Sequence, residues 1–391
     1  MSQKPHRLGW TLLSLAMLGS LLAACAAPAT TAPATQAPAA TQAPAATQAP
    51  AGSGKIKIGL SFSDYATERW PRESAQMTQL LQAKGYEVVV QEADHDVKLQ
   101  NDQIDNMVAE GVKGLIIVAE DGAAAATSVD KAAAAGVKVI AYDRLIKTDK
   151  IAAYLSFDNV EVGHQQAKGV LAAIGADTWD TASKGPIKLV KLGGSPTDNN
   201  AILFRKGQDE VLQPYVDKGT IKVVADQWVD NWDAANAEKI MENVLTAQQN
   251  KIDAVVASND GTALGALQAM KAQGLAGKVP ISGQDATADG CNSIVKGELT
   301  VTIMKDTRNL APQAVNMMDN LIKGQPVTGL ASFAMADLTN DKTQTGNVQA
   351  LFLPIAQVTK DNVYNLVVKT GFQTYDDVYR DIPAANLPPR P

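Results

Sequence analysis

The stretch VKVIAYDR, residues 137–144, is a nearly continuous apolar run that ends in two charged residues, Asp143 and Arg144. Such a run is typical of a strand in a parallel sheet that helices cover on both faces. Seven further stretches repeat the pattern: KIKIGLSF 55–62, YEVVVQEA 86–93, GLIIVA 114–119, IKLVKLGG 187–194, IKVVADQW 221–228, IDAVVASN 252–259 and VPISGQD 279–285. The sequence therefore predicts parallel sheets.

Stretches with helical periodicity lie between these strands. The clearest are residues 73–84, 98–110, 160–175, 234–249 and 261–273. Glycine follows a predicted helix, as a C-terminal cap would, at Gly85, Gly111, Gly136, Gly219 and Gly274. Strand–helix alternation of this kind indicates the α/β class. A break near Asp158 and the doubling of the series predict two doubly wound parallel-sheet lobes, and the length of the chain beyond residue 54 exceeds the ~250–300 residues that one core usually holds.

The composition excludes several classes of protein. A net charge of −6 and a pI of about 5.2 leave no basic surface for nucleic acid. The histidines, His6, His95 and His164, are scattered and form no zinc-type cluster with Cys25 and Cys291, so we expect no metal. The chain has neither GxGxxG after a strand nor a GxxxxGK[ST] loop, so we expect no nucleotide cofactor.

The N-terminal residues have the pattern of an export signal. The apolar run at residues 8–24 is too short and too interrupted to predict a membrane span. LLAACAAP then resembles the lipobox of bacterial lipoproteins, which implies a signal peptide over residues 1–25 with Cys25 lipidated. An ordinary signal peptide with an incidental cysteine is the alternative. Residues 26–54 carry no charge and repeat TQAPAA-like units, so we expect a disordered Ala/Pro/Thr/Gln tether.

Polar side chains collect at the ends of the predicted strands, where open α/β sheets bind their ligands. Helix caps and turns account for single Asp and Asn residues. They do not account for the nearby arginines, or for the two tryptophans of ADQWVDNW, residues 225–232. Carboxylates, amides and guanidinium groups together suit a ligand with many hydroxyls, and an indole face suits a sugar ring. We expect Trp228 to stack on the ring and Trp232 to pack at the base of its helix.

Longer motifs resemble the type I periplasmic solute-binding proteins of sugar ABC transporters, and within them the xylose-binding branch of this ribose-binding-like family. These motifs are ERW 68–70, AYDR 141–144, SFDN 156–159, GGSPTDNNAILFRKGQ 193–208, YVDKGTIKVVADQWVDNW 215–232, NKIDAVVASND 250–260 and GKVPISGQDA 277–286. The resemblance extends from about Lys55 to Phe372. It implies the type I periplasmic binding protein fold, with two α/β lobes joined by a three-segment hinge.

By position, the resemblance also implies the residues that contact the sugar: Arg69, Trp70, Asp143, Arg144, Asp198, Asn200, Arg205, Trp228, Asn259, Asp285 and Lys305. Trp70 and Trp228 would come from opposite lobes and hold the ring between them. Beside Lys305 the chain departs from the family pattern, because Met304 stands where relatives often have an aromatic residue.

The resemblance implies lobes that are not sequential. The first would contain residues 55–157 and 286–349, and the second residues 158–285 and 350–391. The chain would cross between them near Phe157–Asp158, near Gln284–Asp285 and around Leu351–Pro354.

The function that follows is binding of D-xylose or a related monosaccharide by hinge closure, and its delivery to an ABC permease and its ATPase. We expect a monomer without enzymatic activity, in the periplasm or on the outer face of the cell membrane. Another pentose, a hexose or a chemosensory role are alternatives. A glycosidase would need two carboxyl groups flanking a scissile bond, and a transcription regulator would need a helix-turn-helix where the tether lies. The tail, residues 373–391, receives no role. Cys291 is interpreted as a small apolar helix residue, with a reactive thiol as the alternative.

Overall fold

The computed structural model describes residues 54–391, so the predicted signal peptide, Cys25 and nearly all of the predicted tether lie outside the described residues. The described strands are β1 Lys57–Phe62, β2 Glu87–Glu92, β3 Gly114–Ile117, β4 Lys138–Tyr142, β5 Ala153–Phe157, β6 Ile187–Leu192, β7 Ile221–Gln227, β8 Ala254–Ala257, β9 Ser282–Gln284, β10 Val301–Lys305, β11 Ala331–Ala334, β12 Asn347–Leu353 and β13 Ile355–Val358. The α-helices are α1 Arg69–Ala83, α2 Val97–Ala109, α3 Ala125–Ala134, α4 Asn159–Ile174, α5 Thr181–Lys184, α6 Asn199–Asp217, α7 Ala234–Ala247, α8 Asp260–Ala272, α9 Ala288–Lys296, α10 Thr307–Ile322, α11 Met335–Thr339 and α12 Tyr375–Val378.

The predicted alternation of strands and helices is confirmed. Each of the eight quoted apolar stretches contains a strand, and each of the five helical stretches lies on a helix. The five glycines that were expected to cap helices all adopt a positive φ, as at Gly85 with φ 92°. Asp96 and Asp158 cap α2 and α4 at their N-termini by accepting backbone N–H bonds, which supplies partners for the first-turn donors.

The first sheet has seven strands in the order β11–β12–β5–β4–β3–β1–β2, and only β11 runs antiparallel to its neighbour. Helices α1 and α10 cover one face, where Leu60 packs with Met77 and Leu310. Helices α2 and α3 lie on the other face, where Leu115 packs with Val129. Both faces are therefore buried, as the continuous apolar strands predict.

The second lobe contains two short sheets, β7–β6–β8 and β13–β10–β9. A single parallel bridge between Val255 and Ile281 connects them, so they extend one another. Helices α4 and α6 pack closely, as do α7 and α8. The tail adds Val378 and Tyr379 to the core of this lobe, and Asn292 of α9 donates to the carbonyls of Val378 and Arg380.

The first and third crossings between the lobes lie beside Asp158 and Pro354. Asp158 separates β5 from α4, and Pro354 separates β12, which pairs with β5, from β13, which pairs with β10. Residues 350–353 therefore belong to the first sheet rather than to the second lobe, where we expected them.

The second crossing lies later than we expected. Strand β10 pairs with β9 and β13 of the second lobe, and α10 is the first following element to pack on α1. Asp285 has φ 101° and Ala286 has φ 48°, and this turn leads the chain into α9 instead of across the hinge. The first lobe therefore comprises residues 54–157 and 306–353, and the second lobe residues 158–305 and 354–391.

Within residues 54–391, no helix combines the length and the apolar character that crossing a membrane requires. Cys291 is fully buried on α9 among apolar residues, in agreement with its interpretation as a core position.

Candidate functional site

Arg69, at the start of α1, is the centre of a buried charge cluster. Its Nη1 donates to Asp143 Oδ2 at 2.9 Å, and its Nε and Nη2 donate to Glu73 at 2.5 and 3.0 Å. Lys305 Nζ lies 3.9 Å from the same oxygen of Asp143, and Arg69 Nη1 lies 3.9 Å from Asp285 Oδ1. The last two separations exceed a direct hydrogen bond. Lys305 and Asp285 therefore keep bonding capacity for the hydroxyls of a ligand.

Arg144, at the end of β4, connects the two lobes. Its Nε lies 3.0 Å from Asp198 Oδ2, and its Nη1 lies 3.5 Å from Glu120 Oε2. Asp198 is the N-cap of α6 in the second lobe. Beside this pair, Asn200 Nδ2 donates to Asp143 Oδ1 at 3.0 Å, again from the second lobe to the first. The carboxyl end of the first sheet is thus joined to the N-terminus of α6 by an ion pair and a charge-assisted hydrogen bond.

Burial and charge act against each other on the pKa values of this cluster. Burial would raise the pKa of Asp143, but Arg69 and Lys305 outweigh it and hold that pKa below its ordinary value. Burial raises the pKa of Asp285 although Arg69 and Lys305 oppose it. Burial lowers the pKa of Lys305, although Asp143 and Asp285 oppose it. These groups are buried, and the charged form of each is stabilised by its oppositely charged neighbours.

These side chains surround an inner cavity of about 30 Å³. Nine of the eleven predicted contact residues line it: Arg69, Trp70, Asp143, Arg144, Asp198, Asn200, Asn259, Asp285 and Lys305. Its lining also includes Thr67, Phe204, Trp232 and Gln284. The cavity holds no more than a few waters at this volume. A monosaccharide is larger than this and fits only where the two lobes lie further apart than in this structure.

The structure does not bring Arg205 and Trp228 to the inner cavity. The guanidinium carbon of Arg205 lies 3.6 Å from the ring centroid of Trp228, and Arg205 Nη2 lies 2.5 Å from Asp226 Oδ1. Trp228 therefore presents a face to an arginine of its own lobe, in a cation–π contact. Trp232 takes the place beside the cavity that we expected Trp228 to occupy.

Trp232 faces the cavity because the chain before it is not helical. Asn231 has φ 55° and Trp232 has φ 57°, so the helical spacing that predicted packing at the base of α7 does not apply. The ring instead packs edge-on against Phe204, with centroids 6.2 Å apart. Phe204 was also missed, although it precedes Arg205 within one of the quoted motifs. Trp232 lies in the loop after β7, at the carboxyl end of the sheet, and this position could have identified it as a lining residue from the sequence.

Three polar atoms that line or border the inner cavity have no hydrogen-bond partner in the protein. They are Trp70 Nε1, Trp232 Nε1 and Gln284 Oε1, all buried. A buried polar group without a partner costs ~1–3 kcal/mol, and native proteins hold few of them. These three atoms leave the walls of the cavity with free hydrogen-bonding groups, as a site for a polar ligand requires.

Asn259 and Asp260 have different roles although they are adjacent. Asn259 Oδ1 caps α8 by accepting the N–H of Thr262 at 2.8 Å, and its side chain also lines the cavity. Asp260 is fully buried behind it and accepts the backbone N–H of Thr287 at 2.8 Å. Burial raises the pKa of Asp260 to about 8. Asp260 therefore supports the turn after β9 and does not reach the cavity.

One group of side chains in residues 54–391 has the composition of a metal site: Asp64, His95 and Glu120 offer ligand atoms that lie within 4.8 Å of one another. Arg144 approaches Glu120, and Asp64 Oδ1 already accepts the N–H of Thr67 at 2.7 Å. A guanidinium beside the group repels a cation, and these contacts explain the cluster as part of the hydrogen-bonded wall of the cleft.

Comparisons with known proteins agree with the geometry. Residues 58–326 match the periplasmic binding protein domain family. The chain is 43% identical over 327 residues to the D-xylose-binding periplasmic protein of Haemophilus influenzae, covering 84% of this chain and 93% of that protein. It is 44% identical over 318 residues to the D-xylose-binding periplasmic protein of Escherichia coli, covering 81% of this chain and 91% of that protein.

A solved structure supports the same assignment. An ABC transporter solute-binding protein from Clostridium phytofermentans with bound β-D-glucose superposes with a TM-score of 0.74 at 32% identity, covering 82% of this chain and 99% of that one. The resemblance seen in the motifs and the type I fold class are confirmed. The chain belongs to the periplasmic binding protein family.

Proposed function

We propose that this protein binds D-xylose between its two lobes and delivers it, chemically unchanged, to an ABC transporter. The observation that carries the proposal is the inner cavity. Its charged walls come from both lobes, and three buried polar atoms beside it have no partner in the protein. Relatives at 43% and 44% identity are named for binding D-xylose, which supports this sugar as the ligand.

Binding is coupled to closure of the lobes. Arg69, Asp143 and Arg144 belong to the first lobe, whereas Asp198 and Asn259 belong to the second. A ligand that contacts both walls makes its full set of bonds only when the lobes meet, so it shifts the population towards the closed state. The hinge consists of short segments beside Asp158, Asp306 and Pro354, which absorb the motion.

The size of the ligand permits tight binding. Xylose has about ten heavy atoms, and the small-ligand ceiling of about −1.5 kcal/mol per atom limits its binding to roughly −15 kcal/mol. A micromolar dissociation constant needs about −8 kcal/mol. Charge-assisted hydrogen bonds from Arg144, Asp143 and Lys305 are strong enough to provide a large part of this binding free energy.

A hexose is the second candidate, because the Clostridium phytofermentans relative holds β-D-glucose at 32% identity. Exclusion of the extra hydroxymethyl group of glucose depends on the fit around Phe204 and Trp232 when the lobes close.

Family membership supports export of the protein and its work with an ABC transporter. Sugar-binding members of this family are exported and work with an ABC transporter, and the relatives named above are periplasmic. The permease and ATPase partners, the monomeric state and a lipid anchor at Cys25 are parts of our proposal that rest on the sequence motifs.

Calorimetric titration with D-xylose, a second aldopentose and D-glucose tests the proposal, with chromatography of the recovered sugar. We expect saturable binding of xylose with one site, weaker binding of glucose and unchanged sugar after incubation. Absence of saturable binding of any monosaccharide would contradict the proposal. Conversion of the sugar would favour an enzyme.

A further inference from the structure

A second and larger cavity, which we call the outer chamber, adjoins the inner cavity. Its volume is about 340 Å³, within the ~300–1,000 Å³ of most ligand pockets. Both cavities are lined by Thr67, Arg69, Trp232, Asn259 and Asp285. A ligand with one ring in the inner cavity can therefore extend past Trp232 without leaving the cleft.

Two aromatic side chains lie at the outer chamber. Trp232 contributes from the loop before α7, and Phe372 contributes from the start of the tail. The guanidinium carbons of Arg72 and Arg308 lie 5.7 and 5.4 Å from the ring centroid of Phe372. Arg72 and Arg308 belong to the first lobe, so the contacts with Phe372 hold this wall of the chamber across the cleft. Aromatic faces are suited to the C–H faces of a sugar ring.

The polar lining of the outer chamber suits hydroxyls rather than an acid. Amide groups are supplied by Asn231, Asn259 and Gln373. Asn259 Oδ1 already accepts from Thr262 and Gln373 Nε2 already donates to the carbonyl of Ala286, so Asn259 offers its amide nitrogen and Gln373 its amide oxygen. Carboxylates outnumber the cationic side chains that line it: Glu68, Asp233, Asp285 and Asp289 face Arg69, Arg72 and His95, whose pKa is raised by its hydrogen bond to Glu120. This excess of negative charge disfavours a sugar acid, whose carboxylate would be repelled.

We propose that the outer chamber is a second saccharide subsite, and that the protein binds a neutral disaccharide with one ring in the inner cavity and the other in the outer chamber. The inference rests on the proposed function, because the first ring is the xylose unit. The β-1,4-linked disaccharide of xylose is the probe of choice, since both of its rings are neutral pentoses. The second ring would lie beside Trp232 and Phe372, with its hydroxyls towards Arg72, Asn231 and Gln373.

The test is calorimetric titration of the full-length protein with D-xylose and with this disaccharide. Two variants alter residues that line only the outer chamber. Arg72→Ala removes a donor, and Ala66→Trp fills space at an exposed position. Arg390→Ala is the matched control, because this exposed arginine pairs with Asp376 outside both cavities. Circular dichroism spectra and melting temperatures show whether each variant is folded.

We expect the disaccharide to bind at least as tightly as xylose. Each chamber variant should weaken disaccharide binding about tenfold and leave xylose binding within about twofold. Binding of xylose with no binding of the disaccharide would overturn this inference alone and identify the chamber as an entrance. Disaccharide affinity unchanged in both variants would also overturn it. Failure of both sugars to bind would contradict the proposed function itself.

Discussion

Arg144 Nε lies 3.0 Å from Asp198 Oδ2, and this buried ion pair joins the end of β4 in the first lobe to the N-cap of α6 in the second. Burial would lower the pKa of Arg144, but Asp198 and Glu120 outweigh it and raise the pKa above its ordinary value. The guanidinium therefore stays charged at every relevant pH. We propose that it binds a hydroxyl of the sugar.

Replacement of this arginine tests its role in binding. We expect Arg144→Ala to lower xylose affinity at least tenfold, because it removes charged donors and leaves Asp198 buried without its partner. Arg144→Lys should recover only part of the affinity, since lysine lacks the forked donors. Calorimetry measures the effect, with Arg390→Ala as the control. Unchanged affinity in Arg144→Ala would remove this residue from the site.

Tryptophan fluorescence distinguishes Trp232 from Trp228. Trp232 lines the inner cavity, whereas Trp228 stacks with Arg205 outside it. We expect xylose to change the intrinsic fluorescence of the wild-type protein. Trp232→Leu should remove more than half of that change, and Trp228→Leu should keep most of it. The reverse pattern would restore Trp228 as the residue that stacks on the sugar.

Two adjacent glycines offer a matched pair of substitutions. A Cβ at Gly194 would lie 1.9 Å from the nearest ring atom of Trp232, whereas a Cβ at Gly193 would lie 2.5 Å from Trp228. Neither glycine has a positive φ, so the backbone conformation permits alanine at both positions. The effect of the added methyl group therefore depends only on the space around it. We expect Gly194→Ala to displace Trp232 and to weaken xylose binding about tenfold.

Gly193→Ala should have the smaller effect on binding, measured in the same titrations. Both variants should remain folded by circular dichroism. Equal losses of affinity in the two variants would show that xylose binding depends no more on the position of Trp232 than on that of Trp228.

We expect the stability of the fold in acid to depend on Asp319, which lines neither cavity. Tyr86 Oη donates to its Oδ1 at 2.6 Å, and Lys84 and Lys323 donate to its Oδ2 at 3.1 and 3.0 Å. Burial opposes these bonds, yet the pKa of Asp319 falls from 3.8 to about 2. A lowered pKa stabilises the fold fully above pH ~4. This stabilisation, roughly 1–2 kcal/mol, is lost as the pH falls towards 2.

Asp319→Asn should lower stability at neutral pH and flatten its dependence between pH 4 and 2. Urea unfolding at several pH values measures this effect. Asp102→Asn is the control, since Asp102 forms only an exposed pair with Lys98. If the stability of the wild-type protein changed with pH as little as that of Asp319→Asn, Asp319 would not be the source of the acid dependence.

The fold could be predicted from the sequence because its elements depend on local patterns. Apolar runs such as VKVIAY and the glycines after helices report strands and helix ends directly. The second hinge crossing could not be predicted in this way. Whether β10 belongs to one lobe or the other depends on its pairing with β9 and β13, which are distant in the sequence.

The lining of the inner cavity could be predicted where a residue directly follows a strand, as Asp143 and Arg144 do. It could not be predicted between residues 228 and 232, because the positive φ at Asn231 reverses which indole faces the cavity. The outer chamber could not be predicted from the sequence either, because one of its walls contains Phe372, which is far along the chain from the other lining residues.

The most direct test of the account is a titration of the full-length protein with D-xylose, in which heat and tryptophan fluorescence are followed together. We expect one saturable site with a dissociation constant in the micromolar range or below, and xylose recovered intact. Failure to saturate at millimolar xylose, or the appearance of a product, would contradict it.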